Sequence, residues 1–164
     1  MKIGIISDTH NKVEYTKEAI EFLKSQDIKY LLHAGDIGKD VLDFLIKENL
    51  NFIAVLGNTD TNIPIHQYTN FPIYKEPYYF KIENKSFKLM HHPYYLTADT
   101  DVIIYGHLHK FKCDRKKSLY INPGEVCARE KPLSECAILD TEDLNVYYCF
   151  RKLRTSNWEL VKKC

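Results

Sequence analysis

At 164 residues, with 45 % apolar and 27 % charged side chains, the chain has a globular composition, which excludes a disordered or fibrous protein. Lys and Arg number 23 against 22 Asp and Glu, a net charge of +1, so the chain is not built to neutralise phosphates along a nucleic-acid duplex. No apolar run approaches the roughly 20 residues that span a bilayer, and five cysteines, an odd number with no Cys-x-x-Cys pair and no leading signal segment, point to a reducing cytoplasm.

The first half alternates two hydrophobic periods. Lys2 to Ser7 is a short apolar run that reads as a buried strand, and residues 13–25 place Val13, Ala19, Ile20 and Leu23 on one helical face. Tyr30 to Ala34 is a second strand, Val41, Leu42, Phe44 and Leu45 mark a second helix, and Phe52 to Leu56 is a third strand. Strands and helices in strict alternation predict parallel βαβ units. Residues 57–72 read as a polar loop. Beyond it, β-branched and aromatic residues predict strands at 78–83, 86–91, 101–105, 118–122, 135–140 and 144–151. The sequence therefore predicts one α/β domain over residues 1–164, with two packed mixed β-sheets flanked by helices in four layers. Residues 152–164 fit either a last strand or a short helix around Trp158.

Chemistry gathers where predicted strands end. Three of the six glycines directly precede a metal-competent side chain, in Gly35-Asp36, Gly57-Asn58 and Gly106-His107. Asp8 and His10 follow the first strand, and His91 ends another. Ligands of open α/β sheets bind beyond the carboxyl ends of the strands, so these groups are expected in one crevice. His107 and His109, two apart, point the same way in extended backbone. His91 is preferred to its neighbour His92 because it directly ends the apolar run Phe87–Met90. His33, inside a strand, reads as a buried, hydrogen-bonded histidine.

The ordered set Asp8-Thr9-His10, Gly35-Asp36, Gly57-Asn58-Thr59-Asp60, His91 and Gly106-His107-Leu108-His109, followed by Asn122-Pro123-Gly124-Glu125, resembles the calcineurin-like metallophosphoesterase superfamily. The short chain is similar to its small YfcE-type phosphodiesterases. The resemblance implies the metallophosphoesterase fold and a hydrolase with two divalent transition-metal ions. In that scheme Asp8, His10 and His109 hold one ion, Asn58, His91 and His107 hold the other, and Asp36 bridges them. Mixed carboxylate, amide and imidazole donors suit Mn²⁺, the favoured ion, or Fe²⁺, Ni²⁺, Co²⁺ or Zn²⁺. A hydroxide between the ions would attack the phosphorus of a small phosphoester substrate, with Asp36, Asn58 and Asp60 as catalytic residues. The small relatives often form dimers, and the twelve tyrosines offer surface for a homodimer. A second implication stands beside the enzyme, because the retromer scaffold subunit resembles the same family without competent catalysis.

The chain departs from that family at Thr59, where larger relatives carry a histidine that protonates the leaving group. His66 and His92 are the candidates to replace it. Asp60 either orients a ligand or forms an Asx turn. Tyr94 and Tyr95 either wall the site or pack their loop. The basic run Lys110 to Lys117 either steers anions or forms a solvated hairpin tip. Cys127 reads as a small buried group near the site, and Cys164 as an exposed thiol.

Overall fold

The computed structural model describes residues 1–155 and 157–164. Its first sheet contains β1 (Lys2–Ile6), β2 (Tyr30–His33), β3 (Phe52–Val55) and β4 (Ile73–Tyr74). These four run parallel, with α1 (Val13–Ser25) joining β1 to β2 and α2 (Lys39–Lys47) joining β2 to β3. Of the apolar positions read from the sequence, α1 buries Ala19, Ile20 and Leu23, which lie against Ile6, Leu31 and Ala54 together with Val41, Leu42 and Leu45 of α2, while Val13 is half-buried. The predicted loop 57–72 holds two single turns of 3₁₀ helix, at Asp60–Asn62 and Ile65–Gln67.

The second sheet has the order β5 (Tyr78–Ile82), β6 (Lys85–Leu89), β7 (Val102–Ile104), β9 (Leu119–Pro123), β8 (Phe111–Arg115). Strands β6, β7 and β9 are parallel to one another. The chain then returns to the first sheet through β10 (Leu133–Asp140), which pairs antiparallel with β1, followed by β11 (Val146–Lys152) and β12 (Glu159–Lys162). The final segment is thus a strand, and Trp158 stacks on Phe22 of α1 at 4.9 Å.

The sheets pack face to face through Ile3, Ile5, Leu32 and Val55 on one side and Phe87, Leu89, Val102, Ile104 and Ile121 on the other. Both helices lie on the far face of the first sheet. The outer face of the second sheet carries the segment 92–100, which forms no helix. Lys88, 1 % exposed, holds that segment by donating to the carbonyls of Tyr95 and Thr97, both at 2.8 Å, and by pairing with Asp99 at 2.6 Å. No helix among the described residues is long and apolar enough to cross a membrane.

The cysteines correct the sequence reading. Cys113 and Cys164 form a disulfide, so Cys164 is half-buried rather than an exposed thiol. The physical reason is a pair of edge strands, β8 not read from the sequence and β12 read only as one of two alternatives: the exposed β12 aligns on β11 and β8 lies at the rim of the second sheet, which brings the two cysteines to a Cα separation of 6.3 Å. Cys127, Cys136 and Cys149 are free and buried. The bridge removes the cysteine argument for a reducing compartment.

Candidate metal centre

Strands β1, β2 and β3 of the first sheet and β6, β7 and β9 of the second end along one crevice. The turns that follow them are tied across the two sheets. The amide of Asp8 donates to Gly35 O at 3.0 Å, that of Gly106 to His91 O at 3.0 Å, and that of Val126 to Ser7 O at 3.1 Å. The His107 amide reaches Asp8 Oδ2 at 3.1 Å. Two glycines make this closeness feasible. A Cβ on Gly106 would fall 2.0 Å from Ser7 Oγ, and one on Gly57 would fall 2.1 Å from Asp36 Oδ1. Five ligand candidates, Asp8, His10, Asp36, His107 and His109, have φ between 42° and 69°. That left-handed region costs side-chain-bearing residues energy and persists where the surroundings enforce it.

All seven expected ligands converge. His10 Nε2 lies 3.3 Å from His109 Nε2, 3.5 Å from Asp36 Oδ2 and 3.7 Å from Asp8 Oδ1. On the other side, His91 Nε2 lies 3.0 Å from Asn58 Oδ1, 3.2 Å from His107 Nδ1 and 3.4 Å from the same Asp36 Oδ2. Two donors that share one ion at about 2.1 Å stand about 3.0 Å apart at a right angle and about 3.4 Å apart at the tetrahedral angle. The observed separations match that scale. One carboxylate oxygen, Asp36 Oδ2, belongs to both groups.

The hydrogen bonds behind the ligands fix their lone pairs. His91 Nδ1–H donates to Ala34 O at 2.8 Å, and His109 Nδ1–H donates to Glu125 Oε2 at 2.5 Å, so both Nε2 lone pairs face the crevice. Ser7 and the His107 amide occupy Asp8 Oδ2, while Asp8 Oδ1 is buried without a hydrogen-bond partner, 3.2 Å from His109 Nε2. With His109 neutral, its Nε2 lone pair faces that oxygen and the two repel unless a proton or a metal cation lies between them. The donor set therefore fits divalent metal ions, and the carboxylate or carbonyl on each outer ring nitrogen is the usual support of a metal-binding histidine.

Titration follows from the same contacts in the metal-free protein. Burial opposes ionisation of Asp8, yet the adjacent imidazoles of His10 and His109 and the hydrogen bond from Ser7 hold its carboxyl well below the usual range. Burial likewise works against Asp36, but His91 and the Thr59 amide bring it down to about 2. His109 is pushed up to about 11, first by Asp8, then by Cys127 and Glu125 against its own burial. His91 is raised because Asp36 and Asp8 outweigh burial, while burial and the neighbouring His91 and His92 lower His107. His33 is held down to about 3 by burial. Its Nδ1 accepts from the Gly35 amide at 3.2 Å and its Nε2–H meets Thr9 Oγ1 at 3.0 Å. Thr9 in turn donates to Ile37 O at 2.8 Å, so His33 steadies the turn that carries Asp36.

The residues left with two readings separate. The Asp60 carboxylate is consumed by the amides of Ile37, Gly38 and Gly57 at 2.8–3.1 Å, so it ties the second and third strand ends together and faces no ligand histidine. His66 is exposed on its own turn. His92 sits beside the centre with its ring 4.5 Å from that of His107, and its Nδ1–H donates to Glu76 at 2.5 Å. Tyr94 stacks on His92 at 4.9 Å, whereas Tyr95 holds Lys88 through its carbonyl. Of the basic run, Lys110 lines the crevice and Lys116 pairs with Asp114 near the hairpin turn. Cys127 is buried, with its Sγ within 4.8 Å of ligand atoms of His10 and His109. Sequence reasoning gave no role to Glu125, Glu76 or Arg129. Glu125 was visible only as the last residue of the Asn122-Pro123-Gly124-Glu125 turn, and nothing marked the other two.

Residues 1–144 match the family model of the calcineurin-like phosphoesterase superfamily domain. A phosphodiesterase of Methanocaldococcus jannaschii is 31 % identical over 159 residues, covering 87 % of this chain and 94 % of its own. Among solved structures, a novel archaeal phosphodiesterase superposes with a TM-score of 0.78 at 27 % identity, covering 99 % of this chain and 100 % of that one. The phosphoesterase Yfce of E. coli superposes with a TM-score of 0.71 at 22 % identity, covering 98 % of both chains.

Proposed function

Because the chain belongs to the calcineurin-like phosphoesterase superfamily, we propose that it is a metal-dependent phosphodiesterase whose centre holds two divalent ions, with Mn²⁺ favoured. The observation that carries this reading is the place of Asp36 Oδ2, 3.5 Å from His10 Nε2 and 3.4 Å from His91 Nε2. Asp8, His10 and His109 would hold one ion and Asn58, His91 and His107 the other, with Asp36 shared between them. When bound, such a pair supplies a water that ionises near neutral pH and polarises the phosphoryl oxygens.

The chain's own residues orient that chemistry. Glu125 and Ala34 O keep the outer nitrogens of His109 and His91 protonated, so each presents its Nε2 lone pair inward. The Thr59 amide, donating to Asp36 Oδ1 at 2.9 Å, leaves Oδ2 free to bridge. No imidazole stands at Thr59, which favours esters whose leaving oxygen needs little protonation. The name of the Methanocaldococcus relative supports diesters over monoesters.

A scaffold has no use for Asp8 and Asp36 buried together with His91 and His109, since charged groups are costly to bury. The test is release of 4-nitrophenolate from bis(4-nitrophenyl) phosphate with added Mn²⁺. Turnover that is lost on chelation and in Asp36→Asn supports the enzyme. A chain that binds two ions yet hydrolyses no phosphodiester or phosphomonoester contradicts it.

A further inference from the structure

We propose that the cleft opening beside the metal centre seats a nucleotide unit of the substrate, so that the diester joins a nucleotide to its leaving group. This inference rests on the phosphodiesterase reading above. The cleft has a volume of about 700 Å³ and begins at Asp36, Asn58, His107 and His109. It is far too large for a phosphate with small alkyl groups and lies within the range of pockets that enclose whole cofactors.

Its walls have two chemistries. Phe111 of β8, Leu133 of β10 and Tyr148 of β11 form an apolar side, with the Phe111 and Tyr148 rings 4.3 Å apart and both half-buried. Lys110, Arg129 and Lys163 supply the cations. Arg129 Nη2 stands 3.5 Å from His109 Nε2, at the edge of the candidate metal centre. Lys163 Nζ lies 6.0 Å from the Tyr148 ring centroid, held there by the strand that precedes the Cys164 bridge to Cys113.

The acidic groups of the cleft do not cancel this charge. The Glu135 carboxylate is occupied by Lys131 at 2.6 Å, by Tyr148 O–H at 2.6 Å and by the Glu125 amide at 3.2 Å. Glu130 pairs with Arg129 at 3.7 Å, where both side chains are more than half exposed and solvent weakens the attraction. Lys110 and Lys163 have no ion-pair partner among the described residues. An apolar wall with two aromatic rings beside unpaired cations suits a base that stacks and a phosphate that pairs. A plain alkyl ester would leave the cations idle, and a bare sugar phosphate would leave the wall uncovered.

Three esters with one leaving group test this: bis(4-nitrophenyl) phosphate, thymidine 5′-(4-nitrophenyl phosphate), and the latter with a 3′-phosphate. The expected order of kcat/KM rises along the series, by about tenfold for the nucleoside, the scale of one base–aromatic stack. Leu133→Trp, which fills the apolar side, should bring the ratio of the first two esters towards one. Lys163→Glu, at an exposed position, should remove the gain from the 3′-phosphate. Equal kcat/KM for all three esters, or a graded series that neither variant alters, overturns the proposal. Calorimetry with thymidine 3′,5′-bisphosphate and inorganic phosphate reads the cleft without turnover. Tighter binding of the bisphosphate, weakened in Lys163→Glu, sustains the cleft even if no ester is hydrolysed and the phosphodiesterase reading falls. Equal binding of the two overturns the cleft.

Discussion

Glu125 accepts from His109 Nδ1–H at 2.5 Å, and the same carboxylate takes the amides of Glu130 at 2.8 Å and Lys131 at 3.1 Å. One buried acid therefore fixes both the tautomer of a ligand histidine and the loop that carries Arg129. In Glu125→Gln the shape is kept and the charge lost. Metal affinity should fall by about 10–100-fold, the usual effect of removing such support. Titration with Mn²⁺ followed by calorimetry reads this directly, and an unchanged affinity would remove Glu125 from the account.

Gly57→Ala should fold less stably and bind metal poorly. Its Cβ would lie 2.1 Å from Asp36 Oδ1 and 2.3 Å from Asp36 N, so the carboxylate proposed to bridge the ions must move. Overpacking of this kind costs about 1–3 kcal/mol. Thermal unfolding with and without Mn²⁺ separates the two effects: the metal-dependent rise in Tm should shrink in the variant.

Metal binding should strengthen as pH rises. His109 is held up to about 11 by Asp8 and by its other partners, so it carries a proton in the metal-free protein near neutrality, and Asp36 shifts His91 in the same direction. An ion must displace that proton to reach Nε2. Calorimetry in buffers of different ionisation enthalpy should show proton release on Mn²⁺ binding. Without metal the sign reverses. A histidine more basic folded than unfolded stabilises the protein fully below about pH 6.5 and loses that contribution as pH climbs towards 11. Asp36, brought down to about 2, stabilises above about pH 4 and loses its contribution on acidification towards 2.

Thr59→His should restore an acid at the rim of the centre. The gain should be confined to esters with poor alkyl leaving groups, by about 10²–10⁴-fold at most, with little change for 4-nitrophenyl esters. Comparable changes for both classes would mean that Thr59 acts on binding instead.

What the sequence disclosed depended on burial. Helix α1 was legible at both ends because Ala19, Ile20 and Leu23 repeat at the helical period and lie in the core. The edge strand β8 was not legible and β12 stood only as one of two alternatives, because Lys112 and Arg115 face water in the first and all four residues are exposed in the second. Charged edges protect a sheet against further pairing, and the same property hides them from pattern reading. The missed disulfide follows from those two strands. At the centre, Asp8, Asp36, Asn58 and His107 stood out because each follows a buried strand. The left-handed backbone of five ligands and the carboxylates of Glu125 and Glu76 are products of tertiary contacts between distant segments, which no local pattern encodes.

The central claim is that Asp36 Oδ2 lies between two ions. Crystals soaked in Mn²⁺ and measured for anomalous scattering test it most directly. Two peaks about 3.5–4 Å apart, both within bonding distance of Asp36, are the expected result. A single peak, or two peaks that do not share Asp36, would contradict it.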